Sequence, residues 1–112
     1  MSGIAFVDSN VLIYAHDRDA GSKRELARAL CSRLWSEQTG VLSIQVLQEF
    51  FVTVTRKLKT PIARAQAREV VRAYAPWAMS PTTPETILRA TELSEAAGID
   101  FRDALIVAAA EQ

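Results

Sequence analysis

The chain reads as an α/β fold, a short parallel sheet flanked by helices, and three observations carry that reading. Apolar runs at residues 4–7 and 41–42 alternate with segments of helical apolar spacing, the pattern of strands joined by right-handed crossovers. Capping hydroxyls, first-turn prolines and closing glycines punctuate those segments. The third is size and balance: 112 residues make about one domain, and 49% hydrophobic with 23% charged residues is an ordinary globular composition. Residues 1–112 are therefore expected to form a single domain, with no repeat, low-complexity tract or linker.

Ile4-Ala5-Phe6-Val7 is the first strand, and Asp8-Ser9-Asn10 turns it into a helix through Val11-Leu12-Ile13-Tyr14-Ala15 that ends at His16. Ser22 and Glu25 form a capping box for a second helix, whose Leu26, Leu30 and Leu34 share one face before Gly40 stops it. Val41-Leu42 is a short strand. Ser43 then caps a third helix with Leu47, Phe50, Phe51, Val54 and Leu58 at helical spacing. Thr60-Pro61 and Thr83-Pro84 each place a hydroxyl before a first-turn proline, which predicts helices over 61–75 and 84–97. The piece between them, 77–82, reads as a strand. It belongs at a sheet edge because Pro81 cannot donate a ladder hydrogen bond. Gly98 closes the fifth helix. Asp100-Phe101-Arg102-Asp103 opens a sixth, apolar almost all round through Ala110 and so expected to be buried on most sides.

With 13 basic and 13 acidic side chains, the global field selects neither a nucleic-acid nor a membrane partner, so recognition must come from local clusters. The single Cys31 lies mid-helix, where a small buried thiol is expected, and no disulfide framework exists. The amino terminus lacks a basic segment followed by an apolar one, and no apolar run nears ~18 residues. Neither a signal peptide nor a membrane span is expected, and the chain reads as cytoplasmic.

Three acids stand at comparable places: Asp8 at a strand-to-helix turn, Glu49 one turn inside a helix, and Asp103 in the first turn of the last helix. Singly, each has a plain reading. Asp8 suits a helix cap as well as a ligand, Glu49 a solvated helix flank, and Asp103 a cap shared with Asp100. Together they mean more if the first two strands are neighbours, because all three could then meet in one cleft. Three carboxylates ~5 Å apart at an effective dielectric of about 20 repel by ~3 kcal/mol per pair, about 10 in total. That is comparable to the whole stability of a domain, ~5 to 15 kcal/mol. Such a cluster needs raised pKa values or a divalent cation. An all-oxygen donor set suits Mg²⁺ or Mn²⁺ rather than zinc, and the natural reaction is attack of an activated water on a phosphodiester. Asn10 could position a water or substrate, or serve only as a turn residue.

Other residues have narrower readings. His16 at a helix C-terminus reads as structural or solvated, and Ser9 lacks the His and Asp spacing of a serine nucleophile. Arg64, Arg68 and Arg72 form one stripe of a helix in a segment where Arg56, Lys57 and Lys59 add charge and only Glu69 opposes it. A solvated face is the default for such a stripe; beside an acidic metal site it would hold a polyanionic backbone. No aromatic stacking motif of the RNA-recognition type is present, so base readout is not argued.

Three ordered segments resemble the PIN-domain ribonucleases and, among them, the VapC-like toxins of bacterial toxin-antitoxin pairs. They are Phe6-Val7-Asp8-Ser9-Asn10-Val11-Leu12-Ile13-Tyr14, Ser43-Ile44-Gln45-Val46-Leu47-Gln48-Glu49-Phe50 and Phe101-Arg102-Asp103-Ala104-Leu105-Ile106-Val107-Ala108. The resemblance implies a three-layer PIN-like fold and a metal-dependent RNA endonuclease. It makes Asp8, Asp103 and Glu49 the acids of the metal site, with Ser9 and Asn10 as supporting polar groups. It also implies a homodimer held inactive by a cognate antitoxin that covers the site. Family members continue into a further parallel strand beside the first, whereas this chain stops at Gln112. The expectation is a C-terminally incomplete domain whose open first-strand edge is filled by a second copy, through association or swapping. The alternative is a truncated module without turnover, acting in protein binding or as an antitoxin decoy. Phosphoryl transfer through an aspartyl-phosphate fits poorly, since Asp8-Ser9-Asn10 lacks a second acid two residues on.

Overall fold

Parallel strands cannot be joined by a tight turn, and here two helices supply the crossover. The computed structural model of the chain describes residues 3–79 and 82–111. Strand β1 (Ala5–Phe6) leads through helices α1 (Ser9–His16) and α2 (Ser22–Glu37) to strand β2 (Gly40–Val41). The two strands pair in parallel, Ala5 opposite Gly40 and Phe6 opposite Val41. The ladder extends one residue further, where the Val7 amide donates to the Val41 carbonyl at 2.8 Å. This is the short parallel sheet flanked by helices that the alternation predicts. The chain forms two compact units, Met1–Ala78 and Met79–Gln112, each with its own core.

In the first unit the core gathers Val7, Leu12, Leu34, Leu42, Phe50 and Val54, all buried. Helix α3 (Ile44–Val52) begins where Ser43 Oγ accepts from the Val46 amide, as expected of its cap, and it continues into a π turn at Thr53–Lys57. Its Leu47, Phe50 and Val54 are buried as the spacing predicts. Helix α2 differs. Its buried stripe is Ala27, Cys31 and Leu34, while Leu26 is 72% exposed. The small Ala27 and Cys31 turn inward, so the buried thiol is as expected and the leucine face is rotated.

The ends of α2 also depart from expectation. The capping box is not made, because Gly21 at φ 60° takes the N-cap position and Ser22 is already helical. Gln38, left-handed at φ 58°, ends the helix, and Gly40 enters β2 instead of stopping α2. Gly40 is needed for another reason: a Cβ there would run into the six-membered ring of Trp77. Thr60 does not cap the next helix either, since its hydroxyl donates to Asp19 Oδ2 at 2.8 Å and the Ile62 amide donates to the Val54 carbonyl. That bond holds the chain extended, and α4 starts three residues late, at Arg64–Tyr74.

The expected strand 77–82 is reduced. Ala75–Trp77 is a 3₁₀ turn, Ala78 makes a single parallel bridge to Leu42, and Ser80 and Pro81 lie outside the described residues.

The second unit is a helix pair, α5 (Pro84–Ala97) and α6 (Phe101–Ala110). Thr83 caps α5 by accepting from the Thr86 amide, Pro84 fills the first turn, and Gly98 closes it at φ 65°, all as predicted. Alanines let the helices pack closely, with Ala90, Ala104 and Ala108 buried. Arg89 joins Glu111 through two hydrogen bonds of 3.0 and 3.3 Å, an exposed pair of small weight in stability. The expectation that α6 is buried on most sides fails: Phe101 and Val107 are exposed, and its buried side is the alanine stripe. No helix among the described residues is long and apolar enough to cross a membrane.

Candidate active site

The parallel pairing brings the carboxyl end of β1 beside the start of α3, which follows β2. Asp8 stands at that strand end in the N-cap position of α1, in extended conformation, half-buried, and its side chain makes no capping hydrogen bond. The cap reading therefore does not account for the carboxylate. Ser9, the first residue of α1, donates its hydroxyl to Glu49 Oε2 at 2.8 Å. Forty positions apart in sequence, these two side chains are joined because the strands that precede their helices are neighbours. Glu49 is exposed, as a helix flank would be, yet it is oriented by a specific donor. Asn10 is exposed on the first turn of α1.

Asp103 belongs to the second unit, exposed in the first turn of α6. The cap there is Asp100, whose Oδ1 accepts from the Arg102 amide at 2.8 Å. Asp103 is thus not the cap, and the helix dipole alone favours it by ~0.3 to 1 kcal/mol.

Within neither unit do three or more His, Cys, Asp and Glu side chains among the described residues group to hold a metal ion. The donors at the β1 end are nonetheless the kind a hard cation takes. Asp8 and Glu49 offer carboxylates, Ser9 a hydroxyl and Asn10 an amide oxygen, with no imidazole or thiolate among them.

The basic stripe of α4 is exposed along its length, and each member has a neighbour. The Arg64 guanidinium lies over the Phe51 ring at 5.4 Å, Arg72 pairs with Glu69 at 3.1 Å, and Arg68 borders an apolar groove with Leu47, Phe51 and Val71. Two features had no signal in the sequence. Trp35, Tyr74 and Trp77 form an aromatic cluster with ring centroids 4.9 to 5.4 Å apart, and His16 packs edge-on against Phe50. Residues 35 and 74 meet only through tertiary packing, which no local spacing encodes.

The PIN-domain family model matches residues 5–112, nearly the whole chain and both units, and the chain belongs to that family. PIN domains are generally nucleases, so hydrolysis of nucleic acid is the class of activity that membership indicates. None of the curated proteins compared with the chain matches it.

Proposed function

We propose that the chain is a metal-dependent endoribonuclease, the toxin of a VapBC-type pair, acting in the cytoplasm as one PIN domain spanning both units. The observation that carries the reading is the Ser9–Glu49 hydrogen bond at the carboxyl end of a parallel strand that delivers Asp8 to the same place. Open parallel sheets put ligands at such strand ends.

Asp8, Glu49 and Asp103 are the acids of the site and would hold Mg²⁺ or Mn²⁺. When bound, such a cation lowers the pKa of water and stabilises charge on a phosphodiester undergoing attack. The chain's own residues do the rest. Ser9 fixes the Glu49 carboxylate by donating to Oε2, which leaves that carboxylate less freedom to lose on binding. Asn10, one step along α1, orients a water or a phosphate oxygen through its amide. Arg64, Arg68 and Arg72 hold the RNA backbone in register without reading its bases. A cognate antitoxin covers the acids, and a second copy of the chain lies along the edge of β1, which has one partner strand among the described residues.

A second reading, a PIN module that binds partners or decoys an antitoxin without cutting, is favoured by one observation: among the described residues neither unit groups three or more His, Cys, Asp and Glu side chains that could hold a metal ion. Melting the protein across a Mn²⁺ titration separates the two. A ligand at one hundred times its Kd stabilises by ~2.7 kcal/mol, a rise of several degrees. The proposed site gives that rise in the natural chain and loses it in Asp8→Asn. An unchanged melting temperature favours the non-catalytic module.

A further inference from the structure

His16 closes α1 at the end opposite Asp8 and lines two cavities at once. One, of about 280 Å³, is walled by Arg18, Arg24, Thr60 and Gln66 as well as His16. The other, of about 340 Å³, is walled by Arg28, Ser32, Trp35 and Tyr74 as well as His16. The first is cationic and the second aromatic.

The cationic cavity gathers positive charge. Arg24 Nε is buried and has no hydrogen-bond partner among the described residues. An atom so enclosed is out of reach of an ion in the cavity, but the guanidinium charge is shared over three nitrogens, and an anion beside Arg18 and Arg24 in the cavity they wall would offset it. The acids of the neighbouring turn do not serve: Asp17 Oδ1 accepts from the Asp19 amide and Asp19 Oδ2 from Thr60, and neither walls the cavity. Arg18 adds a second guanidinium, and Gln66 an amide.

The aromatic cavity supplies what an isolated phosphate does not need. Trp35 is 47% exposed and is braced edge-on by Tyr74 at 5.4 Å, which fixes a flat ring at the cavity wall. Arg28 is held beside it by donation from Nε to the Ala15 carbonyl at 2.9 Å. His16 Nδ1 lies 3.0 Å from the Leu12 carbonyl, an oxygen that can only accept. Nδ1 is therefore the donor, and Nε2 of the neutral ring remains an acceptor for a hydroxyl or an exocyclic amine. Guanidinium groups next to an exposed, rigid ring are the combination with which proteins hold single nucleotides and unpaired strands.

We propose that this end of α1 is a nucleotide-binding site, with the phosphate against Arg18 and Arg24, the base on Trp35, and His16 between them. It stands apart from the acids at Asp8 and Glu49, and it does not depend on whether those acids hold a metal. The shared chemistry, a base joined to a phosphate, is offered both by a free nucleotide and by single-stranded RNA.

The test uses the full chain in EDTA, which silences any metal site. Binding of inorganic phosphate, adenosine 5′-monophosphate and hexa-adenylate RNA is followed by calorimetry and tryptophan fluorescence. The mononucleotide is expected to saturate, to bind tighter than phosphate, and to quench a signal that Trp35→Phe removes. Arg18→Ala weakens it roughly tenfold, and so does Arg24→Lys, which keeps the charge and stem but loses the guanidinium fork. RNA binding tighter than the mononucleotide identifies the strand as the ligand, and equal binding identifies the free nucleotide. The proposal is overturned if neither nucleotide species binds, if both arginine variants bind like the natural chain, if phosphate binds as tightly as the mononucleotide, or if the quench survives in Trp35→Phe.

Discussion

Gly40→Ala should destabilise the unit that carries Asp8 and Glu49, although an alanine at a strand position is otherwise no burden. The added methyl falls inside van der Waals contact of three atoms of the Trp77 ring, one of them at 2.6 Å. Trp77 cannot simply swing away, because its ring packs on Trp35 and Tyr74 and its carbonyl accepts from the Leu42 amide at 3.0 Å. Overpacking of this kind costs ~1 to 3 kcal/mol. With an unfolding entropy of ~2.1 cal/mol/K per residue, the unit of residues 1–78 loses roughly 6 °C per kcal/mol, so a fall of ~6 to 18 °C is expected in thermal melts. The Trp77→Ala background isolates the cause. There the ring is gone, and Gly40→Ala should be neutral or stabilising by up to ~1 kcal/mol, because alanine has less chain entropy to lose. A melting temperature unchanged by Gly40→Ala in the natural chain, or the same loss in both backgrounds, would refute the ring contact as the reason for the glycine.

Two further outcomes follow from the caps and the half-buried histidine. Asp100→Ala removes the bond to the Arg102 amide and should cost ~1 kcal/mol in urea unfolding, whereas Asp103→Ala should cost no more than the dipole contribution; equal losses would return Asp103 to a capping role. Burial, then the charges of Arg28 and Arg24, lower the His16 pKa from 6.5 despite its bond to Leu12. The unfolded chain therefore takes up this proton first, and stability should decline as pH falls through 6.5 toward the folded value and level off below it. The urea midpoint of His16→Gln should lack that component between pH 7 and 5, and identical slopes in both proteins would contradict it.

How much was legible in the sequence can be traced residue by residue. Local chemistry read well where one residue decides: Ser43 and Thr83 cap, Pro84 opens, Gly98 closes, and Phe50 and Val54 face inward. It read poorly where a distant partner competes. Thr60 looks like a cap until Asp19, far back in the chain, accepts its hydroxyl. Gly40 looks like a helix stop until the Trp77 ring claims the space over it. Leu26 looks like core, yet the smaller Ala27 and Cys31 take the buried positions of α2. The site divides the same way. The strand-end position of Asp8 was readable, and so, once β1 and β2 were taken as neighbours, was the approach of Glu49 to that turn, where Ser9 donates to it. The cavities around His16 were not, because their walls come from segments separated by tens of residues.

The central claim is that Asp8, Glu49 and Asp103 serve one metal-dependent RNA-cleaving site. Its most direct test is cleavage of single-stranded RNA by the pure chain with Mn²⁺ and with EDTA, beside Asp8→Asn and Asp103→Asn of unchanged circular dichroism. The account predicts cleavage only with the metal and a loss of at least a hundredfold in each variant, the scale of removing one preorganised group from such a site. Cleavage that persists in EDTA, or that both variants retain undiminished, would contradict it.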